Sequence, residues 1–163
     1  MHILLATDAD WIVDEVTAAL GDDDVHFTVC RDGRAVAGEV KKQLPDLAIL
    51  DLQVGSMGGM AVTMALRLDE SAGAVAHVKV LMLLDRAADL HLARRSGAEG
   101  WLVKPLDALR LRRAADALAA GGPYTEGLPL DAPEVEPMVP LPDDDPVEGS
   151  AEESVEEEPA TSG

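Results

Sequence analysis

Along its first 120 residues the chain alternates short apolar runs with segments whose apolar positions recur every three or four residues. Ile3 to Thr7, Val25 to Cys30, Leu47 to Leu50, Val78 to Leu84 and Trp101 to Val103 have the length and β-rich composition of strands. Leu47-Ala48-Ile49-Leu50 is almost uninterrupted, the pattern of a central strand buried on both faces. Between the first two runs, Ile12, Val16, Ala19 and Leu20 share one helical face, with Asp10 as the expected N-cap and Gly21 as the stop. A second helix is expected from Arg34 to Gln43, closed by Pro45. Met60, Met64 and Leu66, with Ala61 and Ala65, supply a third. Asp89 to Arg95 gives a short fourth helix stopped by Gly97, and Asp107 caps a fifth that ends at Gly121-Gly122. Strands that alternate with helices predict a parallel, doubly wound α/β sheet with helices on both faces. Its functional crevice lies at the carboxyl ends of the strands.

Charge shows where this pattern stops. The 163 residues carry 31 acids against 13 bases, a net charge of −18, yet from Pro123 onward there are 13 acids, no Lys or Arg, and eight of the ten prolines. Such a segment buries too little apolar area to offset an ordering cost of about 1–2 kcal/mol per residue. The expected organisation is a folded domain over residues 1–121 and a disordered, acidic, Pro-rich tail over 122–163. Net negative charge disfavours a nucleic acid as partner, because no phosphate would be neutralised. Only four residues are aromatic, so the core must be aliphatic and few platforms exist for stacking bases. Cys30 is alone, the amino terminus lacks a basic leader, and no run of 18 apolar residues occurs, so a cytoplasmic protein without a membrane anchor is expected.

The predicted strand ends gather a distinctive polar set. Strand one ends at Thr7, Asp8 and Asp10, strand three at Asp51, strand four at Leu84-Asp85, and strand five at Lys104-Pro105. Two carboxylates from neighbouring strands with an ammonium opposite suit Mg²⁺ and a phosphoryl group. Mg²⁺ takes one or two carboxylates and keeps several waters, while Lys supplies charge to phosphoryl oxygens. Asp51 is placed to be the nucleophile of a phosphoryl transfer, which needs positioning and charge neutralisation more than a further base.

In order and spacing these residues resemble the receiver domain of bacterial two-component response regulators over roughly residues 2 to 121. The resemblance rests on Thr7-Asp8, on Asp51 with Gly59 eight residues later, on Gly97-Ala98 before strand five, and on Lys104-Pro105. It implies a flavodoxin-like sheet of five parallel strands in the order 2-1-3-4-5, with Asp51 as phospho-acceptor from a histidine kinase or phosphotransfer protein. It also implies that Asp8, Asp51 and the backbone carbonyl of Gln53 hold Mg²⁺, and that Lys104 contacts the phosphoryl group. Leu84 and Trp101 fall at the family's switch positions. The sequence departs from the family at three places. Thr7 replaces the first acid of the strand-one pair, Leu84 stands where the family has Ser or Thr, and Gly55 replaces a Pro.

A single-domain, non-enzymatic regulator that signals by protein contact is therefore expected, with a homodimer as one arrangement the resemblance allows. The Thr7 and Leu84 departures recommend the alternative of a receiver-like module that binds partners independently of phosphorylation. Asp8-Ala9-Asp10 also looks like the paired acids of haloacid-dehalogenase phosphatases, but the further acidic pair those enzymes need is missing. Met57, Met60 and Met64 read as loop and core material, and the bases Arg94, Arg95, Arg110, Arg112 and Arg113 as either a solvated face or a cradle for acidic sequence.

Overall fold

The computed structural model describes residues 1–126, and the remainder of the expected acidic tail, from residue 127, lies outside the described residues. The elements follow the predicted alternation: β1 (His2–Ala6), α1 (Asp10–Leu20), β2 (His26–Cys30), α2 (Gly33–Lys42), β3 (Leu47–Asp51), α3 (Gly59–Ser71), β4 (Val80–Leu84), α4 (Leu90–Ser96), β5 (Gly100–Val103), α5 (Ala108–Ala119) and β6 (Tyr124–Thr125). All neighbouring strands are parallel, in the order β2-β1-β3-β4-β5-β6. The expected five-stranded order is thus present, and a sixth two-residue strand extends it. That strand lies beyond Gly121, where the folded domain was expected to end.

Because side chains alternate along a strand, each face of the sheet builds its own core. Ile3, Leu5, Ile49, Leu81, Leu83 and Leu102 pack against α1 and α5, whereas Leu4, Ala6, Ala48, Leu50 and Val80 pack against α2 and α3. β3 and β4 are buried at every position, as their unbroken apolar runs require.

Two helix readings are corrected. Asp10 is the first helical residue of α1 rather than its cap; Ala9 holds the cap position, and the Asp10 carboxylate instead pairs with Arg31 at 2.7 Å. The buried face of α3 is Gly59, Val62, Thr63 and Leu66, while Met64 is half exposed. Thr63 can stand inside because its hydroxyl donates to the Gly59 carbonyl at 2.8 Å, one turn back. A polar residue on the inward stripe hid the true phase of this helix. α2 has a cap the sequence reading missed, since Asp32 accepts from the Arg34 N–H at 2.8 Å.

Candidate functional site

The parallel register brings Asp51 to the carboxyl end of the central strand, one residue past the Ala6–Leu50 pair and therefore beside Thr7. Asp51 is buried, with 1% of its surface exposed, so each of its oxygens needs a partner. One oxygen, Oδ2, accepts from the Thr7 hydroxyl at 2.9 Å. The other, Oδ1, accepts from Lys104 Nζ at 2.8 Å and from the Gln53 N–H at 3.2 Å. The departure at Thr7 thus has a structural consequence: a neutral donor stands where a second carboxylate would have repelled Asp51. The Thr7 hydroxyl in turn accepts from the Ala9 N–H at 3.2 Å, tying the β1–α1 turn to Asp51.

Lys104 is shared. Its ammonium also donates to Asp85 Oδ1 at 2.9 Å, and it lies 5.8 Å from the ring centre of Trp11, within reach of a cation–π attraction. Burial pulls its pKa downward, but hydrogen bonds to Asp51 and Asp85 and their charges outweigh that and leave it raised above the ordinary lysine value. Lys104 is therefore a fixed cation at neutral pH.

Asp8 is exposed at the rim. Its Oδ2 lies 3.3 Å from the place a Cβ on Gly55 would occupy, so the missing side chain at position 55 leaves room for this carboxylate over the β3–α3 loop. Gly59 has a sharper role, because its Cβ would lie 2.6 Å from the Asp51 carbonyl oxygen. The eight-residue spacing from Asp51 to Gly59 marks the close approach of α3 to the end of β3. Asp10 points to Arg31 with its side chain 86% exposed, so Asp8 and Asp10 do not form the paired unit of a phosphatase.

Leu84 and Trp101, expected at switch positions, meet in one cluster. Leu84 is fully buried and packs in one cluster with Met82, Ala93 and Trp101. Trp101 is also buried, and its indole N–H donates to the Glu126 carbonyl at 2.9 Å. Glu126 is the first acid of the acidic segment. Its carboxylate is clasped by the Arg110 guanidinium and accepts from the Val103 N–H at 3.4 Å and the Tyr124 hydroxyl at 3.3 Å. The hydrogen bond to Arg110 holds its pKa below the usual carboxylate range despite partial burial.

Of the bases on α5, one does hold acidic sequence and another joins two helices. Arg110 grips Glu126, whereas Arg112 donates to the Ala19 carbonyl at 2.8 Å and fastens α5 to α1. Replacing Arg110 with alanine is expected to cost about 1–2 kcal/mol, given the partial exposure of the pair. Urea denaturation checks the loss, and a red shift of Trp101 emission should accompany it as the chain after Pro123 leaves β5. An unchanged midpoint would show that β6 is held by its backbone pairing alone.

Trp11, Glu126 and the donor role of Thr7 escaped the sequence reading. Thr7 could have been found by laying β1 beside β3 in parallel register. Trp11 gave no signal beyond its position one residue after Asp10, and Glu126 was indistinguishable from the acids that follow it.

These features accompany a direct match. The sequence pattern that defines the response regulator receiver domain matches residues 3–116. The chain belongs to this family. Among relatives, it is 32% identical over 134 residues to the transcriptional regulatory protein CseB of Streptomyces coelicolor, covering 77% of this chain and 55% of that protein. It is 30% identical over 106 residues to the DNA-binding response regulator MtrA of Mycobacterium tuberculosis, covering 64% of this chain and 44% of that protein. The chain therefore spans about half the length of the curated relatives it matches. Among solved structures, the chemotaxis response regulator CheY4 of Vibrio cholerae superposes with a TM-score of 0.63 at 24% identity, over 72% of this chain and 97% of that one. The receiver domain of a response regulator designated NarL from Mycobacterium tuberculosis gives 0.62 at 26% identity, over 74% and 96%. Among the described residues, no helix is long and apolar enough to cross a membrane.

Proposed function

We propose that this receiver domain accepts a phosphoryl group on Asp51 from the phosphohistidine of a histidine kinase and passes the signal on by protein contact. The observation that carries the reading is a buried carboxylate at the end of β3 with one oxygen 2.8 Å from a fixed ammonium, Lys104. In the transfer an Asp51 oxygen forms a bond to phosphorus as the phosphorus–nitrogen bond of the donor breaks, and the electron pair leaves on the imidazole. Lys104 would balance charge on the phosphoryl oxygens, and the Thr7 hydroxyl and Gln53 N–H would hold the acceptor in line.

The donor set suits Mg²⁺ in kind. Asp8 and Asp51 offer carboxylates, and Gln53 offers a backbone carbonyl. Two carboxylates and a carbonyl would leave the rest of the coordination sphere to water, as Mg²⁺ prefers. When bound it would neutralise charge on the phosphoryl group. Thr7 contributes no charge to this pocket, which predicts weaker Mg²⁺ affinity than two strand-one acids would give. The acidity of the chain supports a protein rather than a nucleic acid as its partner.

The buried Leu84 favours a second reading, in which the domain binds its partner without switching, because a leucine offers no hydroxyl to a phosphoryl oxygen. Beryllofluoride, which imitates a phosphoryl group on a carboxylate, separates the two. With Trp11→Phe removing the other indole, Mg²⁺ and beryllofluoride are expected to change Trp101 emission if the domain switches. Binding of the analogue with no change in emission would favour the constitutive module.

A further inference from the structure

We propose that Asp85 is a built-in competitor for Lys104, a positioning residue that limits how readily Asp51 takes up a phosphoryl group; this rests on Asp51 being the acceptor. Asp85 follows β4 directly, and its Oδ1 lies 2.9 Å from Lys104 Nζ while Asp51 Oδ1 lies 2.8 Å from the same nitrogen. The ammonium has three protons, and two are already committed to carboxylates. A phosphoryl group arriving at Asp51 brings further negative charge and needs donors of its own. It must take Lys104 from Asp85 or share it at closer range to another anion.

Among the described residues no other cation is hydrogen-bonded to Asp85. Arg86, the adjacent base, commits its hydrogen bonds to Asp89, at 2.9 and 3.2 Å at the start of the turn into α4, and acts on Asp85 only through space. On the other side, the Thr7 hydroxyl donates to Asp51 Oδ2 and not to Asp85. Lys104 is thus the cation hydrogen-bonded to Asp85, and the acceptor and its competitor are coupled through one nitrogen. Leu84 adds to the arrangement: its side chain is buried against Trp101 and Met82, so this end of β4 presents a carboxylate at the site and no hydroxyl. The competitor also accounts for a receiver keeping Lys104 fixed in the absence of a phosphoryl group, since two anions hold it rather than one.

The test uses the full chain with acetyl phosphate and Mg²⁺, following phosphoryl uptake by intact mass in the native protein, Asp85→Asn and Asp85→Glu. Removing the competing charge is expected to speed uptake by about fivefold or more in Asp85→Asn, whereas Asp85→Glu, which keeps the charge, should stay near the native rate. A second readout separates competition from mere packing. Beryllofluoride binding in the presence of Mg²⁺, followed by calorimetry, should tighten in Asp85→Asn and not in Asp85→Glu. Native uptake that Asp85→Asn does not accelerate overturns the competitor alone and leaves the acceptor reading intact. Uptake in none of the three proteins overturns both.

Discussion

Replacing Lys104 with methionine is expected to destabilise the folded chain by about 2–4 kcal/mol at neutral pH, the cost of leaving a buried carboxylate without its counter-ion. The side chain of Asp51 is only 2% exposed and that of Lys104 11%, so water cannot replace the lost ammonium at the acceptor. Asp85, 36% exposed, is solvated more easily, which keeps the cost below that of a fully enclosed triad. The unbranched methionine fills a similar stem volume, so the measured loss reports mainly charge rather than packing. Urea denaturation of Lys104→Met, Asp85→Asn and the double variant gives the coupling directly. The double variant should be less destabilised than the sum of the single changes, because one stranded anion has gone. A Lys104→Met protein as stable as the native chain would mean that the ion pair does not hold the site.

Gly59→Ala is expected to damage both stability and phosphoryl uptake. Its Cβ would stand 2.6 Å from the Asp51 carbonyl oxygen, 3.1 Å from that carbonyl carbon and 3.2 Å from Leu52 Cα. All three are backbone atoms, so no side chain can swing away, and the start of α3 must separate from the end of β3. Overpacking of this kind costs about 1–3 kcal/mol. The displaced atoms include the backbone of Asp51, the proposed acceptor, and a shift of about 1 Å can cost 10²-fold in a positioned reaction. Uptake should therefore fall at least about tenfold even in the fraction that remains folded. Gly38→Ala is the control: nothing lies within 4 Å of its Cβ in the exposed middle of α2, and the exchange should stabilise by about 0.5–1 kcal/mol. Equal effects at the two positions would remove the steric argument.

Much of this architecture could be read from local pattern. The runs at Leu47 to Leu50 and Val80 to Leu84 announce buried central strands because both faces of each strand are covered, and the matching of Asp51 and Lys104 follows from placing β3, β4 and β5 in order. Pattern failed where a side chain's hydrogen bond overrides its type. Thr63 is buried because it bonds within its own helix, and this turned the expected apolar face of α3 away from Met64. It failed again where the contact is distant in sequence. Glu126 sits among acids that look alike, and only the fold places Arg110 and the Trp101 N–H beside it, so β6 carries almost no local signal. At the site, the type of Thr7 was legible and its role was not. Read only as a replacement for an acid, it is in the fold a donor to the Asp51 carboxylate.

The most direct test of the account is the mass of the chain after incubation with acetyl phosphate and Mg²⁺, for the native protein and Asp51→Asn side by side. The account predicts a gain of one phosphoryl group in the native protein, dependent on Mg²⁺ and reversed by hydroxylamine as an acyl phosphate should be, and no gain in Asp51→Asn. An unchanged native mass at saturating donor, or an equal gain in Asp51→Asn, would contradict it.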